Sequence, residues 1–251
     1  MSELAVHGWL VRAWFLLALV TFALLVGVVA PYGRHGRAGW GPSVPARLGW
    51  LIMEVPAVVV PITVALLGRG SGLSWLLLAL WLIHYTHRTF VYPFRMRMGG
   101  RSMPLVIALM GAATNLVINW LIFRWHFGLG PVEAVGPADL WRIGAGLVLF
   151  AAGLALNLHS DAVLRRLRGP GESGYRIPQG GLHRWVSCPN YLGEIIEWVG
   201  FAVCAASPAA LAFLAWTLAN LVPRARDHHR WYRRTFPDYP VERRRLVPWL
   251  W

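Results

Sequence analysis

Long apolar runs recur along this chain and leave it few ways to fold. Seven stretches, at about 9–30, 48–67, 73–94, 103–123, 140–160, 189–207 and 208–226, each approach 20 residues. A helix rising 1.5 Å per residue needs that length to cross a hydrocarbon layer about 30 Å thick. Backbone in lipid must satisfy its own hydrogen bonds, so runs this long read as helices. Pro and Gly mark most of the junctions between them. Only 14% of the 251 residues are charged and 57% are hydrophobic, against about 25% charged in a soluble domain. The expected fold is all-α: one polytopic membrane domain over residues 1–251, with seven transmembrane helices.

Arginine sets the orientation. All 24 basic residues are Arg, which excludes Schiff-base lysine chemistry. The connections after the first, third and fifth stretches carry Arg34, Arg37 and Arg47, then Arg95, Arg97 and Arg101, then Arg165, Arg166, Arg168, Arg176 and Arg184. The alternate connections are nearly bare, and the tail from Arg224 to Arg245 carries eight. The positive-inside rule then puts the odd connections and the C-terminus in the cytoplasm and the N-terminus outside. Juxtamembrane Arg facing anionic lipid accounts for the net charge of +13 without a nucleic-acid partner. The run at 9–30 contains Arg12 and lacks a small-residue cleavage site, so it is read as a helix and not as a signal peptide. Cys188 and Cys204 lie sixteen apart and form no disulfide framework.

Ionisable groups inside hydrocarbon are expensive, so each is a functional candidate. Glu54 falls about 9 Å from the cytoplasmic end of its helix, Tyr85 about 14 Å and Glu197 about 10 Å, at the helical rise. Asn190, Glu194 and Glu197 share one helix face at i, i+4, i+7. Asn157, His159 and Asp161 close the fifth stretch, and Arg224, His228 and His229 close the seventh. A cytoplasmic cluster of Arg, Asn, His and Tyr suits a large anionic cofactor, because Arg forks match phosphates. Some residues have plainer readings: Asn115 and Asn119 as interhelical hydrogen-bonding groups, and Arg165, Arg166 and Arg243 to Arg245 as interfacial charge. One HxxH (His84, His87) and one HH (His228, His229) are too few for a diiron site, so no metal is expected. No GxGxxG follows a strand, so a nucleotide would be held by helices and loops.

Four strings carry a resemblance to a known family: "HYTHRTFVYPF" from His84, "NLHSDAVLRRLR" from Asn157, "GYRIPQGGLHRWVSCPNYLGEIIEW" from Gly174 and "RARDHHRWYRRTFPDYPVERRRLVPWLW" from Arg224. Taken in order, they resemble the steroid 5α-reductases, and the likeness runs from about Glu54 to Trp251. The resemblance implies a seven-helix membrane enzyme that reduces the Δ4 bond of a 3-oxo steroid with NADPH, by hydride transfer to C5 and protonation at C4. It assigns the 3-ketone to Glu54 and Tyr85. It assigns the cofactor to Asn157, Asp161, Arg168, Tyr175, Asn190, Glu194, Arg224 and His228, and more loosely to Arg88, Arg97 and Arg101. Arg226 and Asp227 depart from the family pattern.

Glu54, held neutral by apolar surroundings, is expected to donate a hydrogen bond to the C3 oxygen beside the Tyr85 hydroxyl. Trp50 and Trp81 are expected to wall the substrate, which enters from lipid. The loop "IPQGGLHRW" is expected to close over the nucleotide, its glycines permitting close backbone approach. A monomer is expected, with its site open to the cytoplasm, in the inner membrane if the source is bacterial or the endoplasmic reticulum if it is eukaryotic. Rival readings are another NADPH-dependent lipid reductase (polyprenol, enoyl-lipid or sterol Δ14), an isoprenylcysteine- or phospholipid-type methyltransferase with its "PNYLGE"-like segment, and a transporter.

Overall fold

The structure is a computed structural model and describes residues 1–29, 36, 39–96, 100–131, 135–167, 169 and 174–251. Arg97 and Arg168, both expected at the cofactor, lie outside the described residues.

Helices occupy each of the apolar stretches. They are α1 (Glu3–Gly27), α2 (Ala46–Glu54), α3 (Pro56–Leu67), α4 (Gly72–Thr86), α5 (Tyr92–Arg95), α6 (Leu105–Arg124), α7 (Pro137–Arg166), α8 (Pro189–Ala205) and α9 (Pro208–Thr235). Wide π-turns at His87–Val91 and Trp125–Leu129 follow α4 and α6. Among the described residues four helical spans are long and apolar enough to cross a membrane: Glu3–Gly27, Ala46–Leu67, Leu105–Leu129 and Pro137–Arg166. Large apolar side chains stand exposed along them, including Leu16, Leu19, Leu66, Leu67, Met110 and Val148. That is the dress of helices solvated by hydrocarbon.

The fold is mostly helical, as an all-α class requires, with one short addition. A short antiparallel ribbon pairs β1 (Ser43–Pro45) with β2 (Ser102–Pro104), in the register Ser43↔Pro104, Val44↔Met103 and Pro45↔Ser102. Three residues ending in proline leave no alternating pattern to read, because proline cannot extend a ladder.

The second apolar stretch is divided where Pro56 opens α3. Proline supplies no N–H for the Ile52 carbonyl and its ring crowds that carbonyl, and beyond the break Val58 N turns to the Val55 carbonyl instead of that of Glu54. Side chains from neighbouring helices reach the carbonyls beside the break: Asn115 Nδ2 donates to the Met53 carbonyl at 2.8 Å, and the Thr89 hydroxyl reaches the Glu54 carbonyl at 3.4 Å. The break therefore falls beside Glu54 and is bridged by polar groups.

The chain divides into two compact units. The first comprises residues 1–14, 30–141 and 205–213, and its core gathers Trp81, Leu77, Phe123, Phe127 and Ile122, all essentially without exposure. At one end of it the ribbon joins the connection after α1 to the connection after α5. At the other, Arg69 N donates to the Phe127 carbonyl, His126 Nε2 lies 3.2 Å from the Ser207 hydroxyl, and Arg124 Nε donates to Glu3 at 2.6 Å.

The second unit comprises residues 15–29, 142–204 and 214–251. Here α7 and α8 approach backbone to backbone. A Cβ on Gly153 would fall 2.2 Å from the Glu197 nitrogen, and one on Gly193 would fall 2.5 Å from the Asn157 nitrogen. Gly146 and Gly200 are equally hemmed, by Cys204 Sγ and the Phe150 nitrogen. The contact repeats every seven residues on each helix. Small residues so spaced drive helix association where no hydrophobic effect operates between helices. The C-terminal tail docks through a parallel bridge of Val186 with Arg244, and Arg244 N donates to the Trp185 carbonyl at 2.8 Å.

Candidate functional site

In the first unit Glu54 is 8% exposed at the end of α2. Its Oε2 accepts from Asn115 Nδ2 at 3.3 Å, so an amide on α6 steadies the carboxyl from one side. Tyr85 is also buried and stacks on Trp81, with ring centroids 4.7 Å apart. Trp81 Nε1 donates to the Ala57 carbonyl at 2.9 Å. Thr89, one turn to the other side of Tyr85, reaches the Glu54 carbonyl. Residues four apart share a helix face, so two cross-helix bonds bracket Tyr85 and lay its face of α4 against the segment 54–57. Glu54 and Tyr85 lie on the two segments that these bonds join.

Trp50 and Trp81 take different positions. Trp81 is fully buried among Tyr85, Phe123 and Phe213. Trp50 Nε1 donates to the Arg88 carbonyl at 2.9 Å, and the Arg88 guanidinium stacks over the rings of Trp50 and Tyr92 at 4.8 and 4.4 Å. Trp50 and Arg88, assigned to substrate and cofactor respectively, thus form one aromatic-cation stack. Arg101 is exposed, and its carbonyl accepts from Ala46 N at the mouth of the ribbon.

In the second unit four of the residues assigned to the cofactor form one network. Asn157 Nδ2 donates to the Asn190 carbonyl at 3.0 Å and lies 3.5 Å from Glu194 Oε2. Asn190 Nδ2 donates to Asp161 Oδ1 at 3.2 Å. The glycine contact between α7 and α8 is what allows such short side chains to meet. On α9, His228 Nε2 lies 3.0 Å from the Tyr191 hydroxyl, and Arg224 stands one turn before it. Tyr175 packs edge-on against Trp231, 4.9 Å between centroids. Arg226 and Asp227, the two departures, lie 3.5 Å apart. Arg226 also donates to the Val26 carbonyl near the end of α1.

A hydroxyl hub fastens the tail to this unit. Ser187 Oγ lies 2.7 Å from both His229 Nδ1 and the Tyr239 hydroxyl, and donates to the Arg244 carbonyl at 3.2 Å. Burial, aided by Arg233, Arg245 and Arg244, pulls the His229 imidazole down to about 4, so it works here as a neutral ring.

Sequence reasoning missed Asn115 and Thr89 as parts of the Glu54 setting. An Asn in an apolar helix is a signal, but the same signal marks ordinary interhelical bonding. It also missed Tyr191 and Ser187, where the adjoining "PNYLGE" drew attention to its Asn and Glu. Among the described residues no group of three His, Cys, Asp or Glu is placed to hold a metal ion. Both cysteines are free and buried.

As a donor set, two amides, two carboxylates, an Arg and a His fit a nucleotide: carboxylates and amides for hydroxyls and a carboxamide, Arg for phosphate. The residues around Glu54 fit a single polar handle on an apolar molecule. Comparison with known proteins agrees in kind. A family profile described as 3-oxo-5-alpha-steroid 4-dehydrogenase matches residues 101–251. The chain is 38% identical over 258 residues to steroid 5-alpha-reductase DET2 of Gossypium hirsutum, covering 100% of this chain and 99% of that protein. It is 40% identical over 261 residues to the DET2 reductase of Solanum lycopersicum, covering 100% and 99%. It is 38% identical over 245 residues to 3-oxo-5-alpha-steroid 4-dehydrogenase 1 of Bos taurus, covering 93% of each. The chain belongs to the steroid 5-alpha-reductase family.

Proposed function

We propose that this protein reduces the Δ4 double bond of 3-oxo steroids, using NADPH, inside a seven-helix membrane domain. The observation that carries the reading is identity along the whole chain to proteins named for that reaction, with Glu54 and Tyr85 held on facing segments. NADPH, when bound, supplies a hydride. The protein's part is to accommodate the charge that then develops on the C3 oxygen of the enone.

Glu54 in its protonated form and the Tyr85 hydroxyl are the two donors to that oxygen. Asn115 donates to Oε2, which gives that oxygen the acceptor's role. Burial makes both donors stronger than they would be in water. On the cofactor side, Asn157, Asp161, Asn190 and Glu194 would hold the hydroxyls and carboxamide, and Arg224 the phosphates. Tyr191 would hold the ring of His228 in place for its own contact.

The seven-span arrangement is supported by pairings at chain ends. The connection after α1 pairs with that after α5, and the loop after α7 pairs with the C-terminal tail. All four are Arg-rich, which suits the cytoplasmic side. The substrate reaches the site from the bilayer, and the protein acts as a monomer.

The test is incubation of the detergent-purified protein with NADPH and a Δ4-3-oxo steroid, beside a parallel reaction with S-adenosylmethionine. The expected product is heavier by two hydrogens, with cofactor oxidised in step. Glu54→Ala is expected to lose about 10² to 10³ in rate, the usual loss for one such donor, while Glu54→Gln, which keeps an N–H, retains more. Methyl transfer without reduction would overturn the reading.

A further inference from the structure

The loop 177–185 is seated by two side chains from opposite directions. From the C-terminal tail, Arg243 Nη1 donates to the Pro178 carbonyl and Nη2 to Gln179 Oε1, both at 2.9 Å. From within the loop, His183 is turned inward and is 1% exposed. Gly180 and Gly181 make the turn between them at φ +93° and +50°, where a side chain is strained, and a Cβ on Gly181 would press the His159 ring at 2.8 Å. Removing the loop from the molecule therefore means withdrawing a buried imidazole.

That imidazole is poorly provided for. Its ring lies near the Ser160 carbonyl, yet neither nitrogen has a partner at hydrogen-bonding geometry among the described residues. Among the described residues, the charged or titratable groups that act on it are Arg243, from the tail, and His159, from α7, with no carboxylate. Burial, partly offset by the Ser160 carbonyl and reinforced by Arg243, pulls the ring down to about 4. A proton placed there would sit in a buried pocket beside a guanidinium, with no counter-charge among the described residues.

We propose that His183 is a positioning residue of this loop: its neutral, buried ring is the plug that keeps loop 177–185 seated beneath Arg243, and one added proton unseats the loop. That the loop covers NADPH rests on the reading of α7 and α8 as the cofactor site. The sign follows from linkage. In the seated loop the ring stays neutral down to about pH 4, whereas in the released loop it titrates near its ordinary 6.5. Between those values the released state binds the extra proton, so acid favours release. From pH 7 to pH 5 one such proton shifts the balance about 20-fold.

The experiment is hydrogen–deuterium exchange of the amides in 177–186 in the full-length protein, cofactor-free, at pH 7 and pH 5, corrected for intrinsic rates. It is run on wild type and His183→Phe, which keeps an aromatic plug that cannot titrate. NADP+ affinity is measured on both in parallel, as the ratio of wild type to variant. Wild-type protection is expected to fall about 20-fold toward pH 5 and the variant's to stay level. A wild-type loop indifferent to pH, or an equal fall in the variant, overturns the proposal. Should His183→Phe not fold, the wild-type profile decides alone, since a seated neutral plug must loosen with a midpoint below 6.5. Acid-loosening of the wild-type loop with an unchanged NADP+ ratio upholds the plug and removes the cofactor from beneath this loop.

Discussion

One amide, on Asn115, meets both the backbone beside Glu54 and the Glu54 carboxyl. It donates to the Met53 carbonyl beside the α2–α3 break and to the Glu54 carboxyl. Replacing it with Leu removes both bonds and frees the carboxyl to turn. A hydrogen bond of this kind contributes about 0.5–1.5 kcal/mol, so Asn115→Leu is expected to lower kcat/KM for the steroid roughly 3- to 10-fold, well short of Glu54→Ala. Steady-state kinetics on the two variants check the order. At this scale the sequence singled out Glu54 because a carboxyl is costly in lipid, and its pairing with Tyr85 came with the family likeness. The sequence was silent where the same residue type serves packing and chemistry alike, as with Asn115, and where a backbone break creates the need, as with Thr89.

The glycine seam between α7 and α8 carries the polar network above it. A Cβ on Gly153 or Gly193 would fall 2.2 or 2.5 Å from the other helix's backbone nitrogen, so any side chain must part the helices. Overpacking typically destabilises by about 1–3 kcal/mol, and parting α7 from α8 also separates Asn157 and Asp161 from Asn190 and Glu194. Gly153→Leu is therefore expected to lower the unfolding temperature and to weaken NADPH binding together, whereas Gly144→Leu, with open space around its Cβ position, should do neither. Thermal melts and cofactor titration in detergent read both. The helices themselves were legible as apolar runs, to within several residues at their ends. The α2–α3 break, the π-turns and the ribbon were not, because each depends on what a distant segment supplies to a freed backbone group.

Taken along its length, the chain alternates Arg-rich and Arg-poor connections, and pairings within each unit join like with like. The ribbon links two Arg-rich connections, while the contacts of Glu3, Arg69 and His126 link the Arg-poor ends. A seven-span topology accordingly predicts a C-terminal reporter accessible only from the cytoplasm and an N-terminal one only from outside; a same-side result would remove one span. Composition and run length made the apolar helices readable, since the bilayer imposes both. The substrate was not readable in that way: apolar walls and one polar handle suit many lipids, and the steroid came with the family likeness. The most direct measurement is accordingly chemical. The protein would be given a Δ4-3-oxo steroid and NADPH deuterated at C4 of the nicotinamide on the transferred face. One deuterium at C5 of a product reduced across C4 and C5 is the predicted result; a steroid recovered without deuterium, or labelled elsewhere, would contradict the account.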